Sequence, residues 1–131
     1  MNPSAAKLPD PVRVLVVDDE PLFVELVQAL LGAEEGIDVV GTAPDGKRGA
    51  ELAEALAPDL IVMDLSMPVM NGIEATRAIR EGNPSACVLI LTGGSSITEI
   101  DKARKAGAAG YLTKDRIASD LLREIRSLAA R

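Results

Sequence analysis

The chain has 131 residues, of which 47% are hydrophobic and 26% are charged, a size and balance typical of one compact domain with its own core. It contains no His and no Trp, which excludes His-ligated metals and imidazole bases and leaves carboxylates, hydroxyls and lysines for any chemistry. The formal net charge of -6 and the 2% aromatic content disfavour direct nucleic-acid binding, which needs a basic surface or stacking rings.

The sequence shows neither a signal-peptide pattern nor an apolar run of membrane-spanning length, so we expect a cytoplasmic protein without a membrane partner. Cys87 is the single cysteine and lies in an apolar run, which favours a small buried hydrophobe in a reducing compartment. Three prolines before residue 12 predict a flexible N-terminal tail over residues 1–11, followed by one domain over residues 12–131.

Apolar, β-branched runs alternate along the chain with stretches in which apolar residues recur at helical spacing. The predicted strands are 12–17, 37–42, 60–63, 87–91 and 109–112. The predicted helices are 21–32, 46–57, 71–82, one from Ser95 or Ser96 to about 106, and 117–128. In the first helix, the apolar stripe comprises Leu22, Phe23, Leu26, Val27, Leu30 and Leu31.

Several residues predict where individual helices begin and end. Pro21 is tolerated in a first helical turn, whereas Pro58 requires the second helix to stop just before it. Asn71 and Glu74 have the spacing of a capping box, and Gly107 predicts the end of the fourth helix.

Five strands alternating with five helices predict right-handed crossovers and a parallel sheet covered by helices on both faces. We expect an α/β fold of the flavodoxin-like (βα)5 type, a doubly wound five-stranded sheet with strand order 2-1-3-4-5. Five units are too few for an eight-stranded barrel.

The informative polar residues follow the predicted strands, at the edge where an open α/β sheet binds its ligands. Asp18 and Asp19 follow the first strand, Asp64 the third, Thr92 the fourth and Lys114 the fifth. Because these strands are otherwise apolar, polar residues confined to one edge indicate a shared site.

Three carboxylates in one crevice repel each other, and a hard divalent cation relieves that repulsion. Mg²⁺ prefers oxygen ligands, so we expect Asp19 and Asp64 to bind it directly and Asp18 to bind it directly or through water. Asp64 is then a nucleophile that forms an acyl phosphate. Lys114 supplies a movable positive charge, and Thr92 supplies a hydroxyl donor.

Four motifs together resemble the CheY-like response-regulator receiver family of two-component signal transduction. They are VLVVDDEP at 14–21, MDLSMPVMNG at 63–72, LT at 91–92 and GYLTKD at 110–115. The resemblance covers nearly the whole chain after Pro11, and residues 64–72, 74–76 and 106–111 are most similar to the NarL/LuxR-type branch.

This resemblance implies that Asp64 is the phosphoacceptor and that a histidine kinase or phosphotransfer protein is the donor. It implies that Asp18, Asp19 and Asp64 bind Mg²⁺ together with the main-chain carbonyl of Ser66. Thr92 and Tyr111 would be the switch pair, which changes the surface of helix 4, strand 5 and helix 5.

By the same resemblance the chain is a phosphoprotein that promotes its own phosphorylation and slow autodephosphorylation, and is otherwise no enzyme. The branch usually carries a DNA-binding output domain for transcription regulation, so this receiver either controls such a domain or acts alone on a partner. A homodimer is a further expectation. The bond between Lys114 and Asp115 is left open between cis and trans, and Gly94 leaves the phosphoryl lifetime open.

Alternatives accompany these assignments. Asp18 and Asp19 could only cap the first helix. A Mg²⁺-dependent phosphatase with an aspartyl nucleophile would need an acid where Ser66 stands, and a pseudo-receiver would never accept phosphate. Six basic residues of the last two helices form either a solvated face or a docking face, namely Lys102, Arg104, Lys105, Arg116, Arg123 and Arg126.

Overall fold

A computed structural model describes residues 10–94 and 97–130 of the chain. Five strands alternate with five α-helices along these residues. The strands are β1 (Val12–Val17), β2 (Ile37–Ala43), β3 (Leu60–Asp64), β4 (Val88–Thr92) and β5 (Gly110–Thr113). The helices are α1 (Pro21–Gly32), α2 (Gly46–Leu56), α3 (Gly72–Gly82), α4 (Ile97–Lys105) and α5 (Ile117–Ala129), with a short 3₁₀ helix at Lys114–Arg116 before α5.

The strands form one parallel sheet in the order β2-β1-β3-β4-β5, which confirms the predicted doubly wound topology. In this register Val17 of β1 pairs with Met63 of β3. Asp64 pairs with Leu91 of β4, and Thr92 pairs with Thr113 of β5. The carboxyl ends of β1, β3, β4 and β5 therefore reach the same edge of the sheet.

Alternating strand residues divide the core between the two faces of the sheet. Val14 and Val16 of β1 pack on the face covered by α1 and α5, whereas Leu15 and Val17 pack on the other face, under α2, α3 and α4. Residues 60–63 of β3 and 88–91 of β4 are buried throughout. Burial on both faces explains why these strands are continuous apolar runs in the sequence.

Local signals fix several helix ends as predicted. The capping box at the start of α3 is present: the Asn71 side chain accepts a hydrogen bond from the Glu74 N–H at 2.9 Å, and the Glu74 carboxylate accepts one from the Asn71 N–H at 3.1 Å. Gly107, just after α4, has a φ of +109°, a conformation that glycine adopts without strain. The helix α2 ends before Pro58, as predicted, and its C-cap residue, Ala57, adopts the left-handed conformation.

The apolar stripe predicted for α1 is only partly buried. Val27 and Leu31 are buried and Phe23 is partly buried, but Leu22 is 80% exposed and Leu26 is 47% exposed. The residues recur at helical spacing as predicted, but these two leucines do not face the core. One side of α1 packs on the sheet, and helical spacing alone does not show how wide that contact is.

Strand ends differ from the prediction by one residue. β4 begins at Val88 and β5 at Gly110, so Cys87 and Ala109 precede their strands. Cys87 is partly buried against the core under α1 and α5, where we expected full burial. The ends of β3 and β4 extend by one residue to include Asp64 and Thr92, because these residues still pair with the neighbouring strand.

Two predictions fall mainly outside the described residues. The proposed helix start at Ser95 or Ser96 lies in the undescribed gap, and the expected flexible tail over residues 1–11 lies there except for Asp10 and Pro11. Within the described ranges, every peptide bond is trans, including the bond between Lys114 and Asp115. No described helix has the length and apolar character needed to cross a bilayer.

Candidate functional site

The polar residues that the sequence analysis singled out meet at the carboxyl edge of the sheet. Asp18 follows β1 directly and is 3% exposed, and Asp64 is the last residue of β3 and is 4% exposed. Thr92 ends β4 and is also buried, whereas Lys114 begins the 3₁₀ helix after β5. Buried polar side chains at this edge are unusual, since carboxylates are seldom buried without a partner.

Lys114 is the partner that links the carboxylates. Its Nζ lies 3.0 Å from Oδ2 of Asp18, 3.3 Å from Oδ1 of Asp64 and 3.6 Å from Oε1 of Glu20. The Lys114 side chain is 18% exposed, so these ion pairs are only partly screened by solvent. One ammonium group, just after β5, therefore joins the segment after β1 to the end of β3.

A cluster of acids borders this ammonium. One carboxylate oxygen from each of Asp18, Asp19 and Glu20 lies within 4.8 Å of the others, with Asp18 buried and the other two exposed. Asp18 Oδ1 accepts a hydrogen bond from the Glu20 N–H at 2.9 Å. The residue that caps α1 is Glu20, and its side chain makes no capping bond, so the proposed capping role of Asp18 and Asp19 has no support from side-chain contacts.

The oxygen donors at this edge suit a hard divalent cation. Asp18 Oδ2 is buried and accepts no well-aligned hydrogen bond, and its one close partner is the Lys114 ammonium. A buried carboxylate oxygen needs a positive or donating partner, and a divalent cation would be a second such partner beside Lys114. The exposed carboxylates of Asp19 and Glu20 are open to solvent beside it.

Burial dominates the electrostatics of Asp64. Desolvation and the nearby Asp18 charge raise the pKa of the Asp64 carboxyl to about 6, although Lys114 opposes the change. For Lys114, burial acts to lower the pKa of the ammonium, but Asp18 and Asp64 outweigh it, and the net direction is upward. The ammonium of Lys114 therefore stays charged, and the Asp64 carboxyl ionises less readily than an ordinary aspartate.

The remaining predicted residues lie in strands and loops at or near the same edge of the sheet. The Thr92 hydroxyl donates to the carbonyl of Gly94 and accepts from the Gly94 N–H at 3.2 Å, so it is turned toward its own loop. Tyr111 of β5 is 45% exposed and pairs in register with Ile90, two residues before Thr92. Ser66 is exposed in the loop after β3.

A close backbone approach shapes the loop that follows Asp64. The Gly72 N–H donates to the Leu65 carbonyl at 2.9 Å, which closes the loop onto the end of β3. A Cβ atom at position 72 would collide with the backbone carbonyl of Asp64. Glycine is therefore required here, because the start of α3 touches the peptide group of the candidate nucleophile.

Two residues near the centre were not assigned to it from the sequence. Glu20 belongs to the first motif, and its place directly after Asp18 and Asp19 is the signal that could have marked it as a third acid of the site. Phe23 belongs to the apolar stripe predicted for the first helix, and the centroid of its ring lies 4.3 Å from Lys114 Nζ. No sequence signal indicates that second contact, since the two residues are far apart along the chain.

Comparisons with known proteins agree with this fold. The family model of the response regulator receiver domain matches residues 14–126. The nitrate/nitrite response regulator NarL of Escherichia coli is 40% identical over 121 residues, covering 92% of this chain and 56% of NarL. The transcriptional regulatory protein PdtaR of Mycobacterium tuberculosis is 40% identical over 122 residues, covering 92% of this chain and 58% of PdtaR.

Solved structures are similar over almost the same residues. The receiver domain of a NarL response regulator from Mycobacterium tuberculosis has a TM-score of 0.89 at 34% identity, covering 93% of this chain and 98% of that one. A LuxR-family response regulator from Aurantimonas has a TM-score of 0.88 at 36% identity, covering 92% of this chain and 86% of that one.

The parallel sheet, the acids and lysine at its carboxyl edge and the match over residues 14–126 show that this chain belongs to the response-regulator receiver family, a class of signalling domains in two-component systems. Its relatives place it in the NarL/LuxR-type branch, and two of them, LnrK of Bacillus subtilis and PdtaR, are named transcriptional regulatory proteins. The chain spans little more than half the length of NarL and PdtaR.

Proposed function

We propose that the chain accepts a phosphoryl group on Asp64 in a Mg²⁺-dependent reaction and reports the change through the surface of α4, β5 and α5. The observation that carries this proposal is the position of Asp64. It is a buried carboxylate at the end of β3, 3.3 Å from the Lys114 ammonium and with a pKa raised to about 6.

The chemistry of the chain's own residues follows from this position. An ionised Oδ of Asp64 attacks the phosphorus of the donor, a P–O bond forms, and the bond from phosphorus to the donor breaks. With a phosphohistidine donor, the leaving imidazole takes up a proton from solvent. Lys114, already in contact with Asp64, pairs with the new phosphoryl oxygens and stabilises their charge.

Asp18, Asp19, Asp64 and the Ser66 carbonyl are the proposed Mg²⁺ ligands, and the exposed Glu20 carboxylate extends this acidic set. The buried Oδ2 of Asp18, which lacks a hydrogen bond, supports the assignment. When bound, Mg²⁺ would neutralise the acids and stabilise charge on the transferring phosphoryl group.

The switch is proposed to use Thr92 and Tyr111. The Thr92 hydroxyl forms hydrogen bonds within its own loop, at Gly94, and we propose that it turns toward a phosphoryl oxygen when Asp64 is phosphorylated. Tyr111 is almost half exposed and can then occupy the space that Thr92 leaves. The two arrangements are packed states whose populations shift on phosphorylation.

The proposed partners follow from the family. A histidine kinase or phosphotransfer protein would supply the phosphoryl group, and a downstream partner or an output domain would respond, with a homodimer as one form of response. We further propose a cytoplasmic location and a receiver domain that covers residues 12–131 after a tail at 1–11. We also propose that this domain itself contacts neither nucleic acid nor a membrane directly.

Intact-mass measurement after incubation with acetyl phosphate and Mg²⁺ tests the function. We expect wild type to retain the mass of one phosphoryl group, Asp64→Asn to retain none, and the control Asp38→Asn, which changes an exposed carboxylate on β2, to behave as wild type. Release of inorganic phosphate without retained mass would identify a phosphatase instead. No reaction in wild type would identify a pseudo-receiver, and either result would overturn the proposal.

A further inference from the structure

Phe23 contacts both the core and the candidate site. It lies in the first turn of α1, and its partly buried ring packs against the apolar core under α1 and α5. The ring also faces the Lys114 ammonium, with 4.3 Å between Nζ and the ring centroid. This distance lies within the range at which a cation is attracted to the electron-rich face of an aromatic ring.

The Lys114 ammonium is therefore held by two kinds of group. The carboxylates of Asp18, Asp64 and Glu20 lie 3.0 to 3.6 Å away, and the Phe23 ring provides a further attractive surface. Glu20 differs from the other two acids because its side chain is 68% exposed. Lysine has a flexible four-carbon stem, so without another restraint its ammonium can follow Glu20 outward into solvent.

We propose that Phe23 is a positioning residue for phosphoryl transfer, which keeps the Lys114 ammonium in the crevice between Asp18 and Asp64. This role rests on the proposed function of Asp64 as phosphoacceptor. During transfer, the ammonium must move from a carboxylate oxygen of Asp64 to a new phosphoryl oxygen. The ring face attracts a cation over a broad area, so Phe23 retains the ammonium throughout that short movement.

A packing role alone is the competing explanation, and conservative variants separate the two. Phe23→Leu preserves an apolar side chain but removes the aromatic face. Phe23→Tyr preserves the aromatic face, and the partial exposure of position 23 gives its hydroxyl access to solvent. Lys114→Ala removes the cation on which a positioning role depends.

The test measures the rate of phosphorylation by acetyl phosphate with saturating Mg²⁺, using intact mass over time. We expect Phe23→Leu to slow the reaction roughly fivefold, since this is the usual size of a partly shielded cation–ring interaction. Phe23→Tyr should restore a rate near that of wild type. In a Lys114→Ala background, Phe23→Leu should cause no further loss, whereas a packing role would slow both backgrounds equally.

The chain offers a second test that leaves shape almost unchanged. Phe23 is its single phenylalanine, so biosynthetic incorporation of fluorinated phenylalanines changes this position alone. Fluorine withdraws electron density from the ring face and weakens its attraction for a cation. We expect the phosphorylation rate to fall stepwise from phenylalanine to 4-fluoro- and pentafluorophenylalanine, with Mg²⁺ affinity by calorimetry unchanged.

These measurements separate the positioning role of Phe23 from the phosphoacceptor role of Asp64. If wild type gains a phosphoryl group while the fluorinated proteins and Phe23→Leu react at the wild-type rate, the positioning role is overturned and the phosphoacceptor role stands. Equal losses in the wild-type and Lys114→Ala backgrounds overturn it as well. If wild type never gains the phosphoryl mass, the proposed function fails and the positioning role fails with it.

Discussion

At the scale of single residues, the site is built from groups that are individually unfavourable. Asp64 is buried beside a second buried carboxylate, Asp18, and its ionised form is stabilised mainly by one ammonium group. Desolvation of a carboxylate disfavours its charged form more than this partner compensates, which is why the pKa of Asp64 rises to about 6. The candidate nucleophile is thus kept ionised at a cost to the stability of the fold.

That cost predicts how stability depends on pH in the absence of Mg²⁺. The pKa of Asp64 is about 6 in the folded chain against an ordinary value of 3.8, so the native state binds more protons between these values. The contribution of Asp64 to stability is therefore greatest below pH 4, falls as the pH rises toward 6, and is lost above it. We expect Asp64→Asn to exceed wild type in unfolding free energy by about 1–3 kcal/mol at pH 7.5.

Urea denaturation of both proteins between pH 4 and pH 7.5 measures this effect. The difference between wild type and Asp64→Asn should grow from near zero at the acidic end and level off above pH 6. Asp38→Asn serves as the control for loss of an exposed carboxylate. A difference between wild type and Asp64→Asn that is constant over this range would contradict the assigned burial and charge environment.

At the scale of elements, the start of α3 connects helix stability to the site. The capping box of Asn71 and Glu74 stabilises the first turn of α3. Gly72, the residue after Asn71, touches the backbone carbonyl of Asp64. The position of the loop from Asp64 to Gly72 thus depends on how this helix begins. The N-terminus of α2 has a comparable cap, in which Asp45 accepts a hydrogen bond from the Arg48 N–H at 2.8 Å.

These two caps provide a matched pair of variants. Asn71→Ala and Asp45→Ala each remove a side-chain acceptor at a helix N-terminus, and we expect each to cost about 1 kcal/mol of stability. Asn71→Ala should also slow phosphorylation by acetyl phosphate, and more than Asp45→Ala does. Gly72, next to Asn71, touches the backbone carbonyl of Asp64, whereas the start of α2 reaches the same loop through the hydrogen bond from the Gly46 N–H to the Met70 carbonyl. Denaturation and intact-mass kinetics on both variants check this, and equal phosphorylation rates would show that the loop is held independently of the cap.

Several basic residues of the last two helices form ion pairs with acidic residues of the same chain. Lys105 pairs with Asp101 at 3.1 Å, Arg116 and Arg123 each lie 2.9 Å from Asp120, and Arg126 lies 2.9 Å from Glu34. Much of the positive charge is therefore matched by acids of the same chain. A docking role for this face remains a prediction, and charge reversal at Lys105 and Arg116 followed by partner-binding measurements would test it.

At the scale of the whole molecule, the sheet connects the site to the proposed output surface. Asp64 ends β3, Thr92 ends the adjacent β4, and Tyr111 lies in β5, the edge strand beyond it. Only β4 separates the strand that carries Asp64 from β5, which belongs to the surface formed by α4, β5 and α5. Coupling between Asp64 and this surface requires that phosphorylation favours one of two packed arrangements of the domain.

Tyr111 allows this change to be observed directly, since it is the only tyrosine and the chain has no tryptophan. Its side chain starts 45% exposed, and we expect phosphorylation to reduce the quenching of its fluorescence by iodide severalfold as the ring turns inward. Thr92→Val lacks the hydroxyl that would follow the phosphoryl group, so its quenching should not change on phosphorylation. Unchanged quenching in phosphorylated wild type would rule out the inward movement of Tyr111.

The sequence by itself determined the order of strands and helices, because burial on both faces leaves continuous apolar runs and because caps such as Asn71 act within one helical turn. It also determined that Asp18, Asp64, Thr92 and Lys114 end up at one edge, since parallel strands align their carboxyl ends.

Only the tertiary structure decided which side of α1 is buried, leaving Leu22 and Leu26 exposed despite their helical spacing. It alone decided that Lys114 joins two buried carboxylates and that the Phe23 ring lies beside the same ammonium. These contacts join α1, the end of β3 and the segments just after β1 and β5, so they depend on distances across the sheet that no local pattern contains. Periodicity acts over a few residues, whereas the electrostatics of this site depend on a few ångströms between distant parts of the chain.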